Sequence, residues 1–174
     1  SKNTSVELGE EIAGFVSGQV KSGRYGSASE VIRAGIRLLQ DQETKMAVLR
    51  AALKEGEDSG APVAFNVDQF IAAGNHFVMA EFSLRPKAIA DLEEIWDYTV
   101  ETWGEEQAER YLRLINDSFR KIADNPSLGR SCDSIRQGYR KRGVGRHAIF
   151  HRTADGGVEV VRVLHERMDV DRHL

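Results

Sequence analysis

The chain has 174 residues and a mass of 19.4 kDa, room for one medium domain or two small ones. Hydrophobic residues make up 41% and charged residues 29%, with only three prolines, which excludes a long Pro-rich disordered tail. No apolar run approaches the roughly 20 residues of a membrane-spanning helix, no cleavable signal pattern opens the sequence, and one cysteine excludes an internal disulfide or a multi-cysteine zinc site. These features predict a cytoplasmic chain with no membrane partner, no cofactor and no metal, in which Cys132 is an inert, half-buried thiol. The net charge of −3 is unevenly spread: residues 1–78 hold 8 Lys+Arg against 10 Asp+Glu, residues 79–124 hold 6 against 11, and residues 125–174 hold 10 against 6. An acidic middle and a basic end imply two surfaces with different partners.

The first half opens on an alternating segment in which Thr4, Val6 and Leu8 share one face, as in a short strand. Ile12, Phe15, Val16 and Val20 then recur at helical spacing up to Gly23. Ser27 with Glu30 forms a capping box, opening a second helix with Val31, Ile32, Gly35, Ile36, Leu38 and Leu39 as its apolar stripe. That stripe is wide enough to touch two neighbours. A separate helical stretch over 44–55 carries Met46, Leu49, Ala52 and Leu53, and residues 56–62 break it. Residues 65–71 follow as an apolar peptide bearing Asp68. One strand and two helices in about 43 residues bury too little surface alone. A single strand also cannot pair with itself, and two copies that pair their strands and interlock their second helices solve both problems; the resulting two-stranded ribbon fits the major groove of DNA.

The segment KNTSVELGEEI and the run GRYGSASEVIRAGIRLLQDQE resemble the ParD family of ribbon-helix-helix antitoxins over residues 2–71. The resemblance implies a homodimer or a higher even-numbered oligomer that binds its own operator DNA, with residues 1–43 as the DNA-binding domain. It implies that Asn3 and Ser5 face the bases, with Lys2 nearby on the backbone. Ser27 and Ser29 would lie at a helix start against a phosphate, where free N–H groups favour an anion. Glu7 falls on the same outward face, either accepting from a cytosine amino group or standing solvated at the ribbon's edge. With about four phosphate contacts per dimer, the salt slope would be only about −4. The resemblance also implies a toxin-wrapping segment, residues 44–71, with Leu49, Leu53, Phe65, Val67, Phe70 and Ile71 as apolar anchors and Asp68 near a basic sheet.

Residues 72–78 read as a linker, and a second domain begins at Met79. Residues 80–84 form a strand, and Pro86 starts a helix, where its missing N–H does no harm. Ile89, Leu92, Ile95, Trp96, Val100 and Trp103 make one stripe, with both tryptophans in the core, and Gly104 ends it. The next helix carries Ala108, Tyr111, Leu112, Ile115, Phe119 and Ile122 and stops at Asn125-Pro126. Residues 139–144, 146–152 and 158–165 are strands, the last two joined by a tight hairpin at residues 154–157. The fold class is α+β: an antiparallel sheet packed on a helical hairpin, behind the ribbon-helix-helix half. A basic set, Arg140, Lys141, Arg142, Arg146, His147, Arg152, Arg162 and Arg167, is concentrated on the second half, with Asp and Glu scarce among its neighbours. It calls for an anionic or acidic partner.

The pieces PSLGR, GYRKRGVGRHAIFHR and VEVVRVLHERMDVDRHL are similar to the ParE branch of the RelE/ParE toxin superfamily across residues 79–174. That similarity implies a bacterial toxin that poisons DNA gyrase, neutralised by the antitoxin half in cis or in trans. The rival class is an RNA-cutting enzyme, in which His165 is the acid or base and Arg140, Arg142 and Arg162 stabilise developing charge. In the bland alternative His165 is a structural histidine paired with Asp169. A third reading is an inactive interaction domain.

Overall fold

The computed structural model describes residues 5–72, 82–154 and 157–168. The chain forms two compact units, Ser1–Lys45 and Met46–Leu174. Among the described residues no helix is long and apolar enough to cross a membrane.

In the first unit, residues 5–8 of the expected strand carry no ladder in the single chain. A strand needs a neighbour for its ladder, and no described strand pairs with these residues. Helix α1 (Glu10–Lys21) has Glu10 and Glu11 in its first turn and Lys21 in its last, both favourable to the macrodipole. Helix α2 (Ala28–Asp58) starts as the capping box requires. The Glu30 N–H donates to Ser27 Oγ at 3.2 Å, and the Glu30 carboxylate accepts from the Gly26 N–H at 2.6 Å. The separate helix expected over 44–55 is instead the continuation of α2, which runs unbroken for 31 residues. Residues 40–45 are polar but contain no glycine or proline, so nothing in them stops a helix. Val16 and Val31 are buried, whereas Phe15 stays 63% and Leu38 71% exposed in the single chain.

The second unit is built on a six-stranded sheet. Its strands are β1 (Val63–Ala64), β2 (Phe82–Leu84), β3 (Arg130–Ser131), β4 (Tyr139–Val144), β5 (His147–Ala154) and β6 (Gly157–His165), in the order β1-β2-β6-β5-β4-β3. The sheet is antiparallel except that β2 runs parallel to β6. Two helices separate β2 from the rest of the sheet, the kind of crossover a parallel pairing needs. After α3 (Val67–Ala72) and β2 come α4 (Pro86–Trp103), with Pro86 at its first turn, and α5 (Glu105–Asp124), with Gly104 at φ 87° between them. A short 3-10 turn, Glu166–Met168, follows β6.

Successive sheet residues point to opposite faces, and both faces are apolar. Ile149, Val160 and Val163 join Leu92, Ile95, Leu112, Ile115 and Phe119 of α4 and α5 on one side. Ala148, Phe150, Val161 and Leu164 join Leu49, Ala52 and Leu53 of α2 on the other. A register shift between Phe150 and His151 accommodates the extra residue on β6. Two expectations change here. Trp103 is not core: it is 61% exposed and edges against Tyr98 at 5.8 Å, while Trp96 is partly buried. Cys132 is fully rather than half buried, in the cluster beneath α2.

Candidate functional site

The last turns of α2 lie on the sheet face away from α4 and α5. Leu49 and Leu53 are completely buried there against Ile135, Tyr139, Phe150, Val161 and Leu164. Burying each leucine is worth about 1.5–3 kcal/mol. Gly56 allows the close approach that follows: a Cβ at this position would stand 2.6 Å from the carbonyl oxygen of Val161. A glycine that reads as a helix breaker is thus kept inside the helix by its contact with β6. Beyond it, the Ser59 hydroxyl donates to the Gly56 carbonyl at 2.7 Å and accepts from the Lys87 N–H at 3.1 Å, turning the chain toward β2. β1 then adds to the sheet edge, with Val63 opposite Leu84 and Ala64 opposite Ser83.

The apolar peptide closes over the other face. Phe65 and Val67 are buried, Phe65 lying 5.6 Å from Phe70 and 6.1 Å from Phe119 between ring centroids. Phe70 and Ile71 pack partly buried against the same core. Asn66 caps α3 by accepting from the Gln69 N–H at 3.1 Å. Asp68 does not approach the sheet as expected. It pairs with Arg113 of α5 at 2.8 Å, because α3 packs on α5.

Between these two grips lies a set of ion pairs. Glu57 accepts two bonds from Arg136, at 2.7 and 2.5 Å, and one from the Tyr139 hydroxyl at 2.6 Å, with Arg152 at 3.4 Å. Burial alone would raise the Glu57 pKa, but the bonds from Arg136 and Tyr139 and the charges of Arg136 and Arg152 outweigh it and bring it down. Burial, and then the bond to Glu57, pushes the Tyr139 hydroxyl upward. Arg152 also donates to Glu159 at 2.7 Å, and Glu159 bonds Arg85 on its other side. Arg85 reaches back to the carbonyls of Glu57 and Gly60, at 3.0 and 2.7 Å. Beside this set, Arg162 forms a two-point pair with Asp91, both bonds 2.8 Å, and donates to the Ala52 carbonyl at 2.9 Å and to Glu55 at 3.0 Å. Lys87 lies 3.4 Å from Glu55.

The basic residues foreseen from sequence therefore divide. Arg152 and Arg162 meet carboxylates, and Arg162 and Lys141 are buried, not solvent-facing. Arg140 lies opposite His151, with Arg142 on the same face, and Arg140 donates to the Gly129 carbonyl at 2.8 Å. Burial first, and then the charges of Arg140 and Arg142, lowers the His151 pKa. Arg146 and Arg167 are exposed beside the last turn. His165 is paired with His147 across the strands, the rings 5.2 Å apart, and its Nδ1 accepts from the Arg167 N–H at 3.2 Å. His147 also meets the Tyr111 hydroxyl at 2.7 Å, and burial and its neighbour His165 lower its pKa to about 4. The four residues of the RNA-cutting alternative are thus divided among Asp91, His151 and His147. Asp169, Lys2, Asn3, Met79, linker residues 73–78 and hairpin residues 155 and 156 lie outside the described residues; Ser5, Ser27 and Ser29 are exposed. Glu55, Glu57, Arg85, Arg136 and Tyr139 were not foreseen; the acidic run 55–58 after an apolar stripe was their only signal. No group of three or more His, Cys, Asp or Glu among the described residues is placed to hold a metal ion.

An α+β domain whose sheet face and edge are held by an acidic helix-strand-helix tail, with its cations concentrated in residues 125–174, defines a toxin bound by its antidote. The chain belongs in its second half to the family described as "ParE toxin of type II toxin-antitoxin system, parDE", matched over residues 82–170, and in its first half to the "Bacterial antitoxin of ParD toxin-antitoxin type II system and RHH", matched over residues 1–76. It is 53% identical over 96 residues to Toxin ParE1 of Mycobacterium tuberculosis, covering 55% of this chain and 98% of that protein. Toxin ParE1 of Caulobacter vibrioides is 38% identical over the same length, with 99% of it covered. Antitoxin ParD of Vibrio cholerae is 56% identical over 71 residues, 41% of this chain and 88% of that protein. A solved chain from the chromosomal ParDE system of P. aeruginosa aligns with a TM-score of 0.43 at 22% identity, covering 47% of this chain and 90% of its own. The chain is a type II ParDE module with both halves in one polypeptide.

Proposed function

We propose that the module neutralises itself and regulates its own synthesis. In this reading residues 1–43 form a ribbon-helix-helix domain, residues 44–71 wrap the toxin, residues 72–78 link the halves, and residues 79–174 are the toxin. The observation that carries it is Glu57, a carboxylate of the antitoxin half gripped by Arg136, Tyr139 and Arg152 of the toxin half. The apolar positions of the first unit that stay exposed, Ile12, Phe15, Ile36, Leu38 and Leu39, support a homodimer or a higher even-numbered oligomer. Its paired strands then carry Lys2, Asn3 and Ser5 to the operator, with Ser27 and Ser29 at a phosphate, and occupancy represses transcription. The toxin domain, once free, acts on DNA gyrase in the bacterial cytoplasm.

Purified gyrase supplies the test. Residues 79–174 inhibit supercoiling or trap cleaved DNA, and the full chain does neither. Cleavage of messenger RNA on ribosomes, with supercoiling intact, would move the toxin domain to the RNA-cutting class. For the first half, a gel shift on upstream DNA is lost with Asn3→Ala and Ser5→Ala together; unchanged affinity would refute reading by the ribbon.

A further inference from the structure

The groove that holds the antitoxin helix is built almost wholly by the toxin domain. Its floor, Tyr139, Phe150, Val161 and Leu164, belongs to the sheet core. Arg152 also bonds Glu159, which is shared with Arg85, so part of this set is tied within the toxin domain itself. Arg136 and Arg152 pair with the Glu57 carboxylate, and Arg85, which bonds the Glu57 backbone carbonyl, shares Glu159 with Arg152. Without Glu57 the groove is an apolar trough with an excess of positive charge at one end. A nucleic-acid backbone would match the charge but has no row of apolar groups for the trough. An amphipathic helix with leucines four residues apart and a carboxylate four residues beyond the second matches both, as Leu49, Leu53 and Glu57 do.

We propose that this groove, centred on Arg136, Tyr139 and Arg152, is also the surface with which the toxin domain grips its protein target, and that the target enters with an acidic amphipathic helix. Neutralisation is then direct competition: Glu57 occupies the place of a target carboxylate. The inference rests on the reading that the toxin domain acts by binding a protein and is silenced by its own chain.

The full chain with Gly56→Val provides the test, since a side chain there collides with the Val161 carbonyl and lifts the helix from the groove. Leu53→Asp serves as a second unseating variant should Gly56→Val reduce the folded fraction. Expression of the unseated chain arrests growth, and adding Arg136→Gln abolishes the arrest while the protein stays folded by circular dichroism. Arrest as strong with Arg136→Gln overturns the inference and leaves self-neutralisation standing. No arrest from either unseated chain overturns self-neutralisation and the target role with it. In a binding arm, a labelled peptide of residues 46–60 binds the purified Gly56→Val chain at least about tenfold more tightly than the same peptide carrying Glu57→Gln. A 15-nucleotide single strand fails to displace it. Equal binding of the two peptides, or displacement by the oligonucleotide, also overturns the proposal.

Discussion

Replacing Asp91 by alanine tests how the toxin domain presents its central arginine. Asp91 is 5% and Arg162 7% exposed, and two 2.8 Å bonds join them. Asp91 also accepts from the Val163 N–H at 2.9 Å, so its loss leaves a buried guanidinium and a strand amide short of acceptors. What remains for Arg162 is the Ala52 carbonyl and Glu55, whose side chain is 57% exposed and therefore a weak counter-charge. Removing one partner of a buried pair costs about 3–5 kcal/mol. Replacing both, as Asp91→Leu with Arg162→Met, removes the stranded charge and restores most of that loss, leaving about 1–2 kcal/mol for the missing bond to Ala52. The assay is urea unfolding of the full chain followed by Trp96 and Trp103 fluorescence. A single variant as stable as the parent, or a double variant worse than the single, would refute the reasoning.

The other predictions concern the same unit. Gly56→Ala destabilises it by about 1–3 kcal/mol despite alanine's better helix propensity, because the helix must move off Val161; a gain in thermal midpoint would contradict this. His147 is neutral when folded down to about pH 4, whereas the unfolded chain takes up its proton below about 6.5. The unfolded state therefore binds more protons in that window, and stability rises with pH from about 4 to 6.5 and levels above it. Allowing for solvent screening of a partly exposed ring, the rise is about 1–2 kcal/mol. His147→Asn flattens it, while a profile unchanged from the parent's would contradict the assignment. Cys132, 1% exposed, resists alkylation by a maleimide until the unit unfolds, and rapid labelling under native conditions would contradict its burial.

Local signals were legible where the backbone itself is constrained. Pro86, Gly104 and Asn125-Pro126 fix the ends of α4 and α5, and the strand alternation at residues 139–144 sets β4. What failed depends on distant partners. The two-residue strands β1 and β3 are too short for any periodicity, and exist because Leu84 and Lys141 lie opposite Val63 and Arg130. Arg162 reads as a surface cation because its partner, Asp91, is 71 residues away. Glu57 reads as part of a solvated acidic run, yet Arg136, Tyr139 and Arg152 converge on it from across the sheet. α2 extends past its apparent end because the sheet rewards the bare backbone at Gly56.

Growth on induction of the full chain, with and without Leu53→Arg, bears most directly on self-neutralisation. Leu53, on the antitoxin helix, is completely buried against the sheet, and an arginine there cannot be seated. The unsubstituted chain should leave growth unaffected, and the Leu53→Arg chain should arrest it at equal expression. Arrest by both, or harmlessness of both, would contradict the claim that residues 44–71 hold the toxin half silent.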